Sequence, residues 1–224
     1  MGETIQLQAA DGHTLDAYVT RPAGATAGAL VVIQEIFGVN RHMRDVADGY
    51  ARDGFLVVVP ALFDRVEKNV QLGYEGEDRQ RAMSFFHKLD FGNAIKDIDA
   101  ALAWVREDSG QKTGVIGYCV GGTLAWISAA RLKPDAAVGY YAGGVDRFAS
   151  EMPTCRVVLH FGKLDKHIPK EMVETVANAH PEVQVFWYDA DHGFNRDAGA
   201  SYQPEAAKLA RERSLALFNE SLRK

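Results

Sequence analysis

The sequence predicts an α/β protein, a single domain over residues 1–224 with a mostly parallel central sheet flanked by helices on both faces. Three observations predict it. Short, unbroken apolar runs recur along the chain, as strands covered on both faces require. Amphipathic stretches of helical period separate those runs, so the elements alternate as βαβ units. With 224 residues, 47% of them hydrophobic, the chain is long enough to bury one sizeable core and short for two.

The first elements differ from the rest. Thr4–Gln8 and Thr14–Thr20 alternate apolar and polar residues and are joined across Asp11-Gly12, a hairpin signal. Buried strands are then expected at Leu30–Ile33, Phe55–Val59, Val115–Tyr118, Ala136–Tyr140, Val157–Phe161 and Val183–Tyr188. Helices are expected at His42–Arg52, Arg79–Lys88, Asn93–Arg106, Gly122–Arg131, Lys170–Ala179 and Glu205–Leu222. In the third of these, Ile95, Ile98, Leu102 and Val105 form a one-sided stripe at spacings of three and four. Asp64–Asp78 lacks periodicity and reads as a long loop.

Charge and cysteine usage exclude several classes. A net charge of -5 with scattered Lys and Arg argues against a nucleic-acid surface. No run approaches the ~20 apolar residues of a bilayer span. The first residues show no basic region followed by an apolar one, so a cytoplasmic location is expected. Two distant cysteines, Cys119 and Cys155, suit a reduced setting better than a disulfide. No His/Cys cluster suggests a metal, and no cofactor is expected.

Chemistry enters at Gly117-Tyr118-Cys119-Val120-Gly121, between a strand run and a helical one. This is the G-x-S-x-G elbow with Cys in place of Ser. The turn demands small residues two before and two after the nucleophile, and a helix N-terminus beneath the thiol favours its anion. The competing readings are a buried core cysteine and a phosphate loop, though the latter lacks Lys and the Walker spacing. The partners decide. The expected chain order is nucleophile, acid, His. Asp165 directly follows the strand Val157–Phe161, and His192 lies in a loop after the last strand. His167 is too close in sequence to Asp165, and His180, at a helix end before Pro181, is expected to face solvent. The oxyanion hole should use the N–H of Val120 and one from Gln34–Gly38, with Ile36 the expected donor. Glu35, beside it, is an acid at the inner end of a buried strand. An ionised carboxylate there is costly without a partner.

Taken together, Gln34–Asn40, Gly117–Gly122, Gly139-Tyr140-Tyr141 and His192-Gly193-Phe194 resemble the dienelactone hydrolase (carboxymethylenebutenolidase) family, nearly end to end. The resemblance implies a monomeric α/β-hydrolase that opens the lactone ring of dienelactone to maleylacetate through Cys119, His192 and Asp165. It implies that Glu35 takes the proton of a resting Cys119 thiol when substrate arrives. It also implies two arginines on the substrate carboxylate: Arg196, and Arg79 with Arg81 as the fallback. Tyr141 and Phe37 would line the pocket. This chain departs from the family pattern at Met83, usually aromatic, at Gly193, often Ser, and at Lys166, commonly His. Those departures bear on substrate identity. A general small-ester or thioester hydrolase with the same triad is the alternative; a non-catalytic protein on the same scaffold is disfavoured because every triad member is present.

Overall fold

The computed structural model describes residues 2–223 and contains eight strands and six α-helices. They divide into two compact units, the first ending at Gly114 and the second spanning Val115–Arg223.

In the first unit, β1 (Glu3–Gln8) and β2 (Thr14–Thr20) form the expected antiparallel hairpin. β3 (Gly28–Ile33) and β4 (Phe55–Pro60) are parallel, and the order is β1-β2-β4-β3. Both central strands are buried at every position, which is why their sequences do not alternate. Helix α1 (Arg41–Arg52) packs on β4, and its N-cap Asn40 accepts from the Met43 N–H at 3.2 Å. Helix α3 (Phe91–Ser109) lays Ile95, Ile98, Leu102 and Val105 against β3 and β4. Its N-cap Asp90 accepts from the Asn93 N–H at 2.7 Å.

The stretch expected to be a long loop is shorter and more tethered than its composition suggests. A 3-10 turn occupies Leu62–Arg65, and α2 (Gly76–Lys88) begins three residues before its expected start at Arg79. Gln71 bridges to Gly38, and the Leu72 N–H donates to the Phe37 carbonyl at 2.9 Å. Backbone pairing, invisible to a periodicity reading, holds this segment against the loop after β3.

The second unit takes up β5 (Thr113–Tyr118) from Val115 onward, and β6 (Ala136–Tyr140), β7 (Arg156–Gly162) and β8 (Gln184–Tyr188) follow in the order β5-β6-β7-β8, β7 running parallel to both its neighbours. Helices α4 (Val120–Arg131), α5 (Lys170–Ala179) and α6 (Pro204–Leu222) complete it. Its core contains a polar chain. His160 on β7 is wholly buried, its Nδ1 2.8 Å from the Tyr188 hydroxyl and its Nε2 3.0 Å from the Ser214 hydroxyl on α6. The Tyr140 and Ser214 hydroxyls are 2.9 Å apart, and Arg213 donates to Tyr188 at 3.1 Å. Burial, with the nearby Arg213 charge, pushes the His160 imidazole down to about 3, so the ring is neutral. His180, expected at the surface, is instead buried. Its Nε2 lies 2.8 Å from the Ala149 carbonyl and its ring packs edge-on against Trp126. That contact joins residues far apart in sequence, so the residues flanking His180 carry no sign of it. No helix among the described residues is long and apolar enough to cross a membrane.

Candidate active site

Strand β5 ends at Tyr118 and α4 begins at Val120, leaving Cys119 alone to make the turn. It does so at φ 57° and ψ -120°, a conformation that L residues rarely adopt. The flanking glycines explain how the turn closes. A Cβ on Gly117 would lie 1.8 Å from the Gly121 carbonyl oxygen, and one on Gly122 would lie 2.7 Å from the Tyr140 oxygen. Both obstacles are backbone, which cannot swing aside. The Cys119 N–H donates to Tyr140 at 3.0 Å, fastening the turn to β6. Val120 opens α4, so its N–H belongs to the first turn, whose N–H groups have no acceptor inside the helix.

Two loops bring the partners. Asp165 follows β7 and His192 follows β8. The Cys119 Sγ is 3.3 Å from His192 Nε2, and His192 Nδ1 is 2.7 Å from Asp165 Oδ2. The remaining Asp165 oxygen, Oδ1, accepts from the His167 N–H at 2.8 Å, and the Asp191 carboxylate accepts from the His192 N–H at 2.7 Å. Thus the three residues picked from chain order stand in one hydrogen-bonded line. The Tyr141 ring lies 5.0 Å from the His192 ring, and Tyr141 itself sits at φ 36°, fully buried. His167 places a second imidazole edge-on to His192 at 5.7 Å. His167 is too close in sequence to Asp165 to be its expected partner, yet that closeness is what places its ring against His192.

The electrostatics favour a charged pair. Burial alone would lower the His192 imidazole, but attraction to Cys119 and the bonds to Asp165 and Cys119 outweigh it and lift it to about 10. Burial would raise the Asp165 carboxyl; the His192 bond and charge and the His167 N–H hold it below its usual value. For His192 the raised value means a stabilisation complete below 6.5 and lost as pH rises through about 10. For Asp165 the lowered value means a stabilisation present above 3.8 and lost as pH falls through its folded value. The melting-temperature difference between wild type and Asp165→Asn should therefore be largest between pH 3.8 and 6.5 and shrink toward about pH 10 and in strong acid. Thermal melts across that range check it; a pH-independent difference would mean that the pair's charge adds nothing to stability.

Arg196 is half-buried, with Nη2 3.3 Å from the His192 carbonyl that it donates to. In the first unit, Glu35 sits just past β3 with 1% exposure, and Ile36 is half-buried beside it. Phe37 is in a cluster with Phe63, Val70, Leu72, Ala82 and Phe85. On α2, Arg81 donates to Glu67 at 2.9 Å and lies over the Phe85 ring, while Arg79 is exposed. Of the two arginines, Arg81 is thus the one already engaged. Cys155 is a free, half-buried thiol pushed up to about 12 by burial and the neighbouring Asp135.

A strand, a one-residue turn at positive φ, a helix, and a later Asp and His in a hydrogen-bonded line make the arrangement of an α/β-hydrolase. More particularly, the chain belongs to the dienelactone hydrolase family, whose model matches residues 15–222. The carboxymethylenebutenolidase of Pseudomonas putida is 36% identical over 222 residues, covering 95% of this chain and 94% of its own. Carboxymethylenebutenolidase 1 of Cupriavidus pinatubonensis is 28% identical, covering 97% of both chains. A solved structure from Klebsiella pneumoniae, assigned to the dienelactone hydrolases, superposes with a TM-score of 0.83 at 26% identity, over 97% of this chain and 98% of its own. The protein is accordingly a carboxylic-ester hydrolase acting on lactones or esters.

Proposed function

We propose that the protein opens small acidic lactones of the dienelactone type, with Cys119 as nucleophile, His192 as base and acid, and Asp165 as the group that orients the imidazole. The observation that supports this most is the unbroken line Sγ–Nε2 at 3.3 Å and Nδ1–Oδ2 at 2.7 Å on a strained turn. The Cys119 thiol passes its proton to Glu35 as its sulfur attacks the lactone carbonyl carbon, forming a C–S bond, and the carbonyl oxygen becomes an oxyanion. The N–H groups of Val120 and Ile36 are the proposed donors to that oxyanion. As the oxyanion collapses, the ring C–O bond breaks and the leaving oxygen takes a proton from the His192 imidazolium, leaving that ring neutral. Water then gives a proton to the neutral His192 and attacks the thioester; the C–S bond breaks, the sulfur recovers its proton from Glu35, and the product acid is released. Asp165 holds the ring with Nδ1–H toward itself, which leaves Nε2 facing sulfur.

Dienelactone is the proposed substrate because the curated relatives are carboxymethylenebutenolidases. Arg196, beside His192, and Arg79 are the proposed partners of its carboxylate, as a guanidinium fork suits that group. Tyr141 and Phe37 are the proposed aromatic walls, and the buried Glu35 the proposed acceptor of the thiol proton. The test compares turnover of cis-dienelactone with that of a short p-nitrophenyl ester. Lactone turnover well above ester turnover is expected; ester turnover alone would assign the protein to general small esters instead.

A further inference from the structure

We propose that Gly193 is a positioning residue that seats the Arg196 guanidinium beside His192 and so sets preference for anionic over neutral substrates; this rests on the reading of Arg196 as a carboxylate partner. The space that a side chain at 193 would use is already taken. A Cβ built on Gly193 would lie 1.7 Å from Arg196 Nη2 and 2.1 Å from both Cζ and Nε. The guanidinium thus rests on the glycine's α-carbon, one residue past His192. Gly193 also has φ +76°, in the left-handed region that suits glycine.

The rest of the loop holds the arginine in that seat. Its N–H donates to the Gly193 carbonyl at 2.9 Å, and its Nη2 to the His192 carbonyl at 3.3 Å. On the other side the Gly199 N–H donates to the Arg196 carbonyl at 2.9 Å, and a Cβ on Gly199 would lie 3.1 Å from the Arg196 Cβ. Root and head are both placed by residues within the His192 loop, so the charge and the imidazole keep a fixed spacing. A free surface arginine would have to lose rotamer freedom on meeting an anion, whereas a seated one has already lost it. Because the atoms that a Cβ would strike are the far end of a flexible side chain, a substitution at 193 should displace Arg196 rather than unfold the loop.

The experiment uses Gly193→Ala, Gly193→Asn, Arg196→Met and the double variant Gly193→Ala/Arg196→Met, with cis-dienelactone and its neutral methyl ester as substrates. The readout is the ratio of kcat/KM for the acid to that for the methyl ester. Arg196→Met should lower this ratio by about tenfold, the scale of one charge-assisted pair. Gly193→Ala should lower it several-fold, and add little in the Arg196→Met background. Gly193→Asn, which tolerates the same φ while filling the same space, should match Gly193→Ala. Protection of Cys119 from iodoacetamide by maleate should weaken in the same order, without relying on turnover. A selective loss in Arg196→Met with none in the Gly193 variants overturns the seat alone. Equal loss on both substrates in Gly193→Ala, or a loss persisting in the double variant, overturns it too by locating the effect in the His192 backbone. An unchanged ratio in Arg196→Met overturns both the seat and the carboxylate reading beneath it.

Discussion

Cys119→Ala should abolish turnover of lactone and ester alike, by a factor of about 10⁴ or more, since no other group at the turn can form the acyl intermediate. Alanine is smaller than cysteine and sits between the same glycines, so the strained φ of 57° remains the only stress on the turn. The fold should survive. Iodoacetamide labelling followed by mass spectrometry separates the thiols: the half-buried Cys155, pushed up to about 12, should stay unlabelled in both proteins. Modification of wild type at Cys119, absent from the variant, is the expected pattern. Residual lactone turnover at more than about a hundredth of the wild-type rate would assign the attack to water rather than to sulfur.

Asp165→Asn should cost about 10⁴ in kcat while leaving the fold intact. Its side chain is 1% exposed and makes two bonds, one to His192 Nδ1 and one from the His167 N–H. An asparagine of the same shape keeps the second but offers the imidazole an amide that can donate as well as accept. If its NH₂ faces Nδ1, the ring takes the tautomer with its hydrogen on Nε2 and cannot accept a proton from the attacking water. Without the carboxylate charge the His192 imidazole should also fall from about 10, moving the alkaline limb of the pH–rate profile to lower pH. A variant that keeps both the wild-type rate and the wild-type limb would show that His192 is oriented by its backbone loop alone.

The parts of this site that the sequence made legible are those whose cause is local. The elbow is visible because a one-residue turn between strand and helix brings the Gly121 backbone against Gly117 and the Tyr140 backbone against Gly122, and the glycines around Cys119 record those close approaches. Asp165 and His192 are visible because each directly follows a strand. The all-buried strands are visible because they need no alternation. What stayed hidden depends on residues far apart in the chain. His180 looked solvent-facing because nothing around it announces Trp126 or the Ala149 carbonyl. The Asp64–Asp78 stretch reads as a long loop because part of what holds it is a bridge from Gln71 to Gly38, which leaves no period in the sequence. Gly193 was noted as a departure from the family's Ser, but that an arginine's head fills the missing side chain's place depends on loop geometry.

The polar chain through His160 bears on how the molecule comes into being. Tyr140, His160 and Tyr188 lie on three neighbouring strands, yet the hydroxyl joining Tyr140 to His160 belongs to Ser214 on α6. Until that helix docks, the Tyr140 hydroxyl and the His160 Nε2 lack the serine hydroxyl that they share, although their rings pack with centroids 4.5 Å apart. Such a vacancy is costly to enclose. During synthesis the strands emerge first and α6 is the last of the described elements to follow. The second unit should therefore remain wet and unsealed at its centre until its final helix arrives, and only then commit to a single packed form.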